Sequence, residues 1–131
     1  MFIKVFITSM LIFLIFDFTW LGFIAKDLYK NELGHLLKEK VNFIAAFIFY
    51  VIFIIGISVF VIIPAIKNNS LKDVLIFGAL FGLVTYATYD LTNYATLEGF
   101  KLKIVIIDLL WGTFLGTITA TLTYFIYKGL L

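Results

Sequence analysis

Residues 43–66 read FIAAFIFYVIFIIGISVFVIIPAI, with no charged side chain anywhere in the run. A helix needs about 20 predominantly apolar residues to cross a hydrocarbon core of about 30 Å, and this stretch exceeds that. Lipid offers no partner for backbone N–H and C=O groups, so the segment must satisfy them internally as a helix. Three more stretches of this kind occur, over residues 5–25, 74–97 and 104–127. None shows the period-2 alternation of a membrane β-strand. The sequence therefore predicts an all-α fold, an integral membrane four-helix bundle, forming a single four-span domain over residues 1–131.

Composition agrees. The chain has 131 residues, 63% hydrophobic and 14% charged, with sixteen Phe. Its mean hydropathy is +1.14, more apolar than a soluble domain of this size can bury. Net charge is +2, carried by Lys without any Arg, too weak a bias for nucleic-acid binding. Without Cys, neither a disulfide framework nor thiolate chemistry is available. The first apolar run contains Asp17, continues to Ala25 and lacks a small-residue cleavage pattern, so it reads as a retained span and not as a signal peptide.

The connections are short. Residues 26–42 form a polar link in which Leu28, Leu33, Leu36 and Leu37 suit a short amphipathic helix lying in the interface. Pro64 closes the second span, Lys67-Asn68-Asn69-Ser70 makes a turn, and Ser70 with Asp73 has capping-box spacing for the third helix. Glu98-Gly99-Phe100-Lys101 joins the last two spans into an antiparallel hairpin. An even number of crossings puts both termini on one side. The first and third connections define side B and carry Lys26, Lys30, Lys38, Lys40, Lys101 and Lys103, against Lys4, Lys67, Lys72 and Lys128 opposite. The positive-inside rule then favours side B in the cytoplasm and both termini outside.

Asp17, Asp90 and Asp108 lie inside these spans with no Lys to neutralise them. An acid at that depth costs a few kcal/mol or more to insert, and it ordinarily marks a functional site. Counted from the nearest polar connection, all three fall roughly 8–14 Å below the side-B boundary, and Tyr50 on the second span reaches a similar level. Residues four apart share a helix face. Gly78, Gly82, Tyr86 and Asp90 make one such row, with Asn93 a turn further on; Asp108, Gly112, Gly116 and Ala120 make another. Small residues at this spacing let membrane helices approach closely. The hairpin is expected to pack Gly78 and Gly82 against Gly116 and Ala120, turning Asp90 and Asp108 inward to a polar pocket open to side B. Asp17-Phe18-Thr19-Trp20 and Asp90-Leu91-Thr92-Asn93 echo one another faintly, and Asp108-Leu109-Leu110-Trp111 repeats the Asp-x-x-Trp spacing.

Each of these residues has a structural reading beside the functional one. Buried carboxyls can be protonated and bonded to hydroxyls or amides on neighbouring helices. Trp20 and Trp111 can anchor or pack, although Trp111 sits deep enough to line the pocket. Tyr86, Tyr89 and Tyr94 share that ambiguity. Thr113, Thr117, Thr119, Thr121 and Thr123 are expected to bond back to their own helix or to neighbours. His35 reads as a solvated loop residue, or as an imidazole folded over the pocket. No dinucleotide, Walker, zinc-protease or nucleophile-elbow motif is present.

The segments Asp17-x-x-Trp20-Leu21-Gly22, Thr88-Tyr89-Asp90-Leu91-Thr92-Asn93-Tyr94-Ala95-Thr96-Leu97 and Asp108-x-x-Trp111-Gly112 together resemble a bacterial family of small four-span membrane proteins classified as a domain of unknown function. The likeness extends through Leu33-Gly34-His35 and Phe49-Tyr50. It implies four spans in a bacterial inner membrane, and no catalytic role carries over from it.

Two functional classes follow from the residues. Clustered carboxylates without a cation cannot all be ionised, because desolvation and mutual repulsion oppose it. They share protons or hold a cation, and exchanging one for the other is the basis of proton- or cation-linked binding or transport of a small ligand. Four spans are few for a pathway, so this version calls for a homo-oligomer. The alternative is a membrane-embedded enzyme or binding protein acting on a lipid or other hydrophobic substrate. Asp17, Asp90 and Asp108 would then hold a divalent cation, with Asn93 as a further oxygen donor, or one Asp would act as general acid. On either reading the site residues are Asp17, Asp90, Asn93, Asp108, Tyr50, Tyr86 and Trp111, and the lipid bilayer is the surrounding partner.

Overall fold

The computed structural model describes residues 1–36 and 40–130, so Leu37 and Lys38 of the first connection lie outside the described residues. Five helices follow in order: α1 (Phe2–Ile24), α2 (Lys26–Leu33), α3 (Phe43–Lys67), α4 (Leu71–Thr96) and α5 (Leu102–Leu130). All but α2 are long and apolar enough to cross a membrane, and no strand occurs among the described residues. The spans outrun the expected bounds by a few residues, at Phe2, Leu71 and Leu130. Hydropathy marks the edge of hydrocarbon, whereas the helix continues into the headgroup zone, where Lys4, Lys72 and Lys128 can keep their charges wet.

Local chemistry sets the helix ends. Asn42 Oδ1 accepts the Ala45 N–H at 3.1 Å, and Ser70 Oγ accepts the Asp73 N–H at 3.1 Å, so α3 and α4 both begin on side-chain caps. After α3 the chain closes with Ser70 N–H on Ala65 O (3.0 Å) and Asn69 N–H on Ile66 O (3.1 Å). Asn69 takes φ 51° between them, which is the left-handed stop that ends many helices. Gly99, at φ 81°, turns the chain between α4 and α5.

Two spans contain a widened π turn, Trp20–Ile24 in α1 and Ser58–Ile62 in α3. The second has a visible cause. Pro64 has no N–H and its ring crowds the carbonyl four residues back, so the turn ahead of it opens.

The α4–α5 hairpin holds the bundle together. A Cβ at Gly78 would come within 3.1 Å of both Ala120 Cβ and Gly116 O; one at Gly82 would strike the Gly112 carbonyl, and one at Gly116 the Gly78 carbonyl. This is the close approach that the small-residue rows predict. Val5, Phe13, Phe53, Ile54, Ile57, Val74 and Leu115 fill the interior, while Phe23, Phe43, Ile44, Phe60 and Leu110 stand on the outer surface. Apolar side chains in that number, facing outward on every span, suit lipid and not water.

On side B, α2 lies over the end of the hairpin. Leu33 packs with Phe100, Ile104 and Val105, backed by Leu28, Tyr29 and Leu109. Glu32 reaches Lys101 at 3.4 Å and Lys103 at 3.6 Å. The expected amphipathic helix therefore forms, but it ends at Leu33, and Leu36 is exposed beyond it.

Candidate functional site

The three aspartates are buried, and they are held in different ways. Asp17 on α1 accepts from the Tyr50 hydroxyl at 2.7 Å and from Trp111 Nε1 at 3.3 Å, which ties α1 to α3 and α5. Asp108 on α5 accepts from the Tyr29 hydroxyl of α2. The Tyr29 oxygen in turn accepts from Trp20 Nε1 at 3.0 Å. Trp20 and Trp111 stack face to face, 4.5 Å between centroids and 9° between planes. The two indoles thus join the Asp17 group to the Asp108 group. The π turn opens at Trp20, three residues after Asp17.

Asp90 differs. It is 0% exposed, and neither of its oxygens receives an N–H or O–H donor among the described residues. Its carboxyl lies beside that of Asp108, within hydrogen-bonding range. Two carboxylates cannot hydrogen-bond, so the pair bonds only when one of them carries a proton. Among the described residues the only ion pairs are those of Glu32 with Lys101 and Lys103, so none of the described lysines pairs with either acid.

Tyr86, one turn before Asp90, lays its ring against Gly112, where any Cβ would collide with it. Tyr50 and Trp111 thus lie against Asp17, and Tyr86 packs one turn from Asp108 along α5. Asn93 does neither: it is half-buried, and its side chain lies by Tyr89 of its own helix and not by an acid. His35 is exposed and rests against Gly99 of the third connection, away from the acids.

Two expectations change. A pocket open to side B was expected, but Asp17, Asp90 and Asp108 are 4%, 0% and 6% exposed, with Tyr29 of α2 bonded to Asp108. The cause is the apolar face of α2, which finds Phe100, Ile104 and Val105 at the hairpin end and covers them. Two shallow concavities face outward and are apolar: one of about 280 Å³ against Trp20, Ile107, Leu110, Trp111 and Phe114, and one of about 220 Å³ around Phe60 and Phe77. No aspartate lines either. The second change concerns metal. Among the described residues no three His, Asp or Glu side chains gather tightly enough to hold one ion. Asp17, Asp90 and Asp108 form a pair and a separate third acid, because Tyr50 and Trp111 hold Asp17 apart.

The sequence pattern does not single out Tyr29, yet it is the side chain that closes the layer. A signal was present. Tyr29 is the only tyrosine in residues 26–42, and it lies on the apolar side of the short helix with Leu28 and Leu33. Its burial, with the charge of Asp108 beside it, pushes its phenol well above the usual tyrosine range.

No curated protein and no solved structure matches this chain. Residues 2–125 match the model of a family described as "Predicted membrane protein (DUF2177)", and this multi-pass membrane chain belongs to that family.

Proposed function

We propose that this protein works by binding and releasing a proton at the Asp90–Asp108 carboxyl pair, coupled to binding or transport of a small ligand or cation. The observation that carries the reading is Asp90: fully buried, beside a second carboxyl, and among the described residues without a donor on either oxygen or an ion pair to a lysine. A pair in that setting alternates between one shared proton and a counter-cation. Asp17 is the third acid, linked to the pair through Trp111, Trp20 and Tyr29. Tyr50 and Tyr86 are neutral hydroxyl partners at the same level. The family resemblance implies a bacterial inner membrane, and lysine placement favours side B cytoplasmic and both termini outside. Residues 1–131 act as one domain, and a flux pathway through so few spans calls for a homodimer or larger assembly.

The test is proton flux into liposomes loaded with a pH-sensitive dye, with the infrared C=O band of protonated carboxyls recorded on the same samples. Wild type is expected to acidify the lumen and to show the band. Asp90→Asn and Asp108→Asn are each expected to stay folded, lose the flux and shift the band. A variant that carries protons like wild type, with the band unchanged, refutes the reading.

One observation favours a second reading, an acid–base enzyme or binding protein for a hydrophobic substrate. The concavity of about 280 Å³ has Trp20 and Trp111 in its wall, and the same indoles donate into the acidic network. A lipid chain seated there would lie one side chain away from Asp17. Flux-free protein that still retains a co-purifying lipid, lost in Trp111→Ala, would move this reading ahead.

A further inference from the structure

The Asp17 layer has a counterpart deeper in the bundle. Asp17, Tyr50 and Trp111 are joined by hydrogen bonds, so they define one level on α1, α3 and α5. Eight residues further towards the opposite side along each helix stand Ser9, Ser58 and Thr119. At 1.5 Å per residue that is a second level about 12 Å away. The fourth span agrees: eight residues from Tyr86 is Gly78, and Gly78 lies against Ala120, next to Thr119. All three hydroxyl residues are fully buried. Phe13, Phe53 and Phe81 separate the two levels, with Phe53 centred 4.9 Å from Phe13 and 5.2 Å from Phe81.

Two of the three hydroxyls at this level are not used in the ordinary way. Elsewhere in the spans Thr85, Thr88, Thr96, Thr113, Thr117 and Thr123 donate back to the carbonyl four residues earlier, as Ser9 does to Val5. Ser58 Oγ and Thr119 Oγ1 make no hydrogen bond at all among the described residues. Thr121, two residues beyond Thr119, is the one further buried hydroxyl without a partner among the described residues. A buried hydroxyl without a partner is costly, and nature ordinarily supplies one as protein or water. Ser58 also opens the π turn of α3, a widening of the backbone that recurs at functional sites.

We propose that Ser58 and Thr119 bind water between α3 and α5, with Ser9 at the same level on α1, forming a second polar station in the half of the membrane away from the acids. Buried waters make two to four hydrogen bonds to such groups. The water site stands by itself; its role as the next resting place for a proton rests on the proton-linked reading above.

The experiment is magnetisation transfer from water to the Thr119 methyl in micelle-embedded protein labelled at threonine methyls. It is paired with the stabilities of Ser58→Ala, Thr119→Val and the double variant. A water cross-peak at Thr119 in wild type, its loss in Ser58→Ala, and non-additive destabilisation are expected, since both single variants remove the same water. Absence of the cross-peak in wild type, or single variants that gain stability by deleting an orphaned hydroxyl, overturns the site. Liposome flux separates the roles. Ser58→Ala that loses the cross-peak and keeps wild-type flux overturns the relay role alone. Wild type without flux overturns the proton-linked reading, and the cross-peak still decides the water site.

Discussion

Tyr29 and Asp108 lie 79 positions apart and meet in one hydrogen bond, the hydroxyl donating from a helix outside the spans to a carboxyl inside them. This contact, more than the depth of the acids, makes the layer a closed one. It also gives α2 a polar attachment in addition to its apolar face on Phe100, Ile104 and Val105. The ion pairs of Glu32 add little, because Lys101 and Lys103 are more than half exposed.

Tyr29→Phe therefore keeps the ring and removes the latch. The Trp20 N–H and the Asp108 carboxyl both lose their partner, at an expected cost of about 1–3 kcal/mol. Hydrogen exchange over residues 26–33 should rise more than exchange in the middle of α5. Unchanged exchange in α2 would mean that its apolar face alone holds it.

The same latch should respond to alkali. Burial first, and then the Asp108 charge, raises the Tyr29 phenol above its usual value of 10.0. The folded state therefore keeps this proton after the unfolded state has lost it. Its contribution is complete below about pH 10 and declines as pH climbs from there towards the folded value. The stability gap between wild type and Tyr29→Phe is expected to narrow above about pH 10. A gap that stays constant into strong alkali would contradict the burial of this phenol.

The bundle was largely legible in the sequence because lipid removes alternatives. An uncharged run such as 43–66 has one available conformation, and small residues four apart mark where two helices touch. Gly78 against Gly116 and Ala120 is read directly from that spacing. Tyr29 was not legible, because a polar link of seventeen residues has many available paths and its apolar face is only three or four side chains wide. Thr119 and Thr121 were not legible for a related reason: their neighbours at 113, 117 and 123 bond back to their helix, and nothing in the run of threonines says that these two do not. Asn93 failed in the opposite direction. It follows the row of Asp90, but it sits a turn nearer the headgroups and is only half-buried.

Asp17 offers a contrast between two substitutions. Asp17→Ala leaves the Tyr50 hydroxyl and the Trp111 N–H without an acceptor in a buried site, and about 1–3 kcal/mol should be lost. Asp17→Asn retains a carbonyl oxygen for Trp111 and lets Tyr50 turn to accept from the amide. It should recover most of that loss. Denaturation in mixed micelles checks the order, and an Asn variant as weak as the Ala variant would show that the charge matters and not the bonds.

The glycine rows predict a graded series. Nothing lies within 4 Å of where a Cβ would stand on Gly22, so Gly22→Ala should be neutral or gain up to about 1 kcal/mol from helix propensity. At Gly78 the new carbon would meet the Ala120 methyl and a carbonyl oxygen at 3.1 Å, a contact that small shifts relieve. At Gly82 it would strike the Gly112 carbonyl, a backbone atom that cannot move unless the helices part. Gly82→Ala should lose about 3 kcal/mol, the upper end of what overpacking ordinarily costs. Unfolding measurements on the three variants should rank them in that order. The effect should also reach the acids, because Asp90 lies two turns beyond Gly82 on α4 and Asp108 one turn before Gly112 on α5. A hairpin parted at Gly82 separates the two carboxyls, so the protonated-carboxyl band should shift in Gly82→Ala and stay in place in Gly22→Ala. If both variants leave the band unmoved while only stability falls, the hairpin does not set the spacing of the pair, and α2 through Tyr29 does.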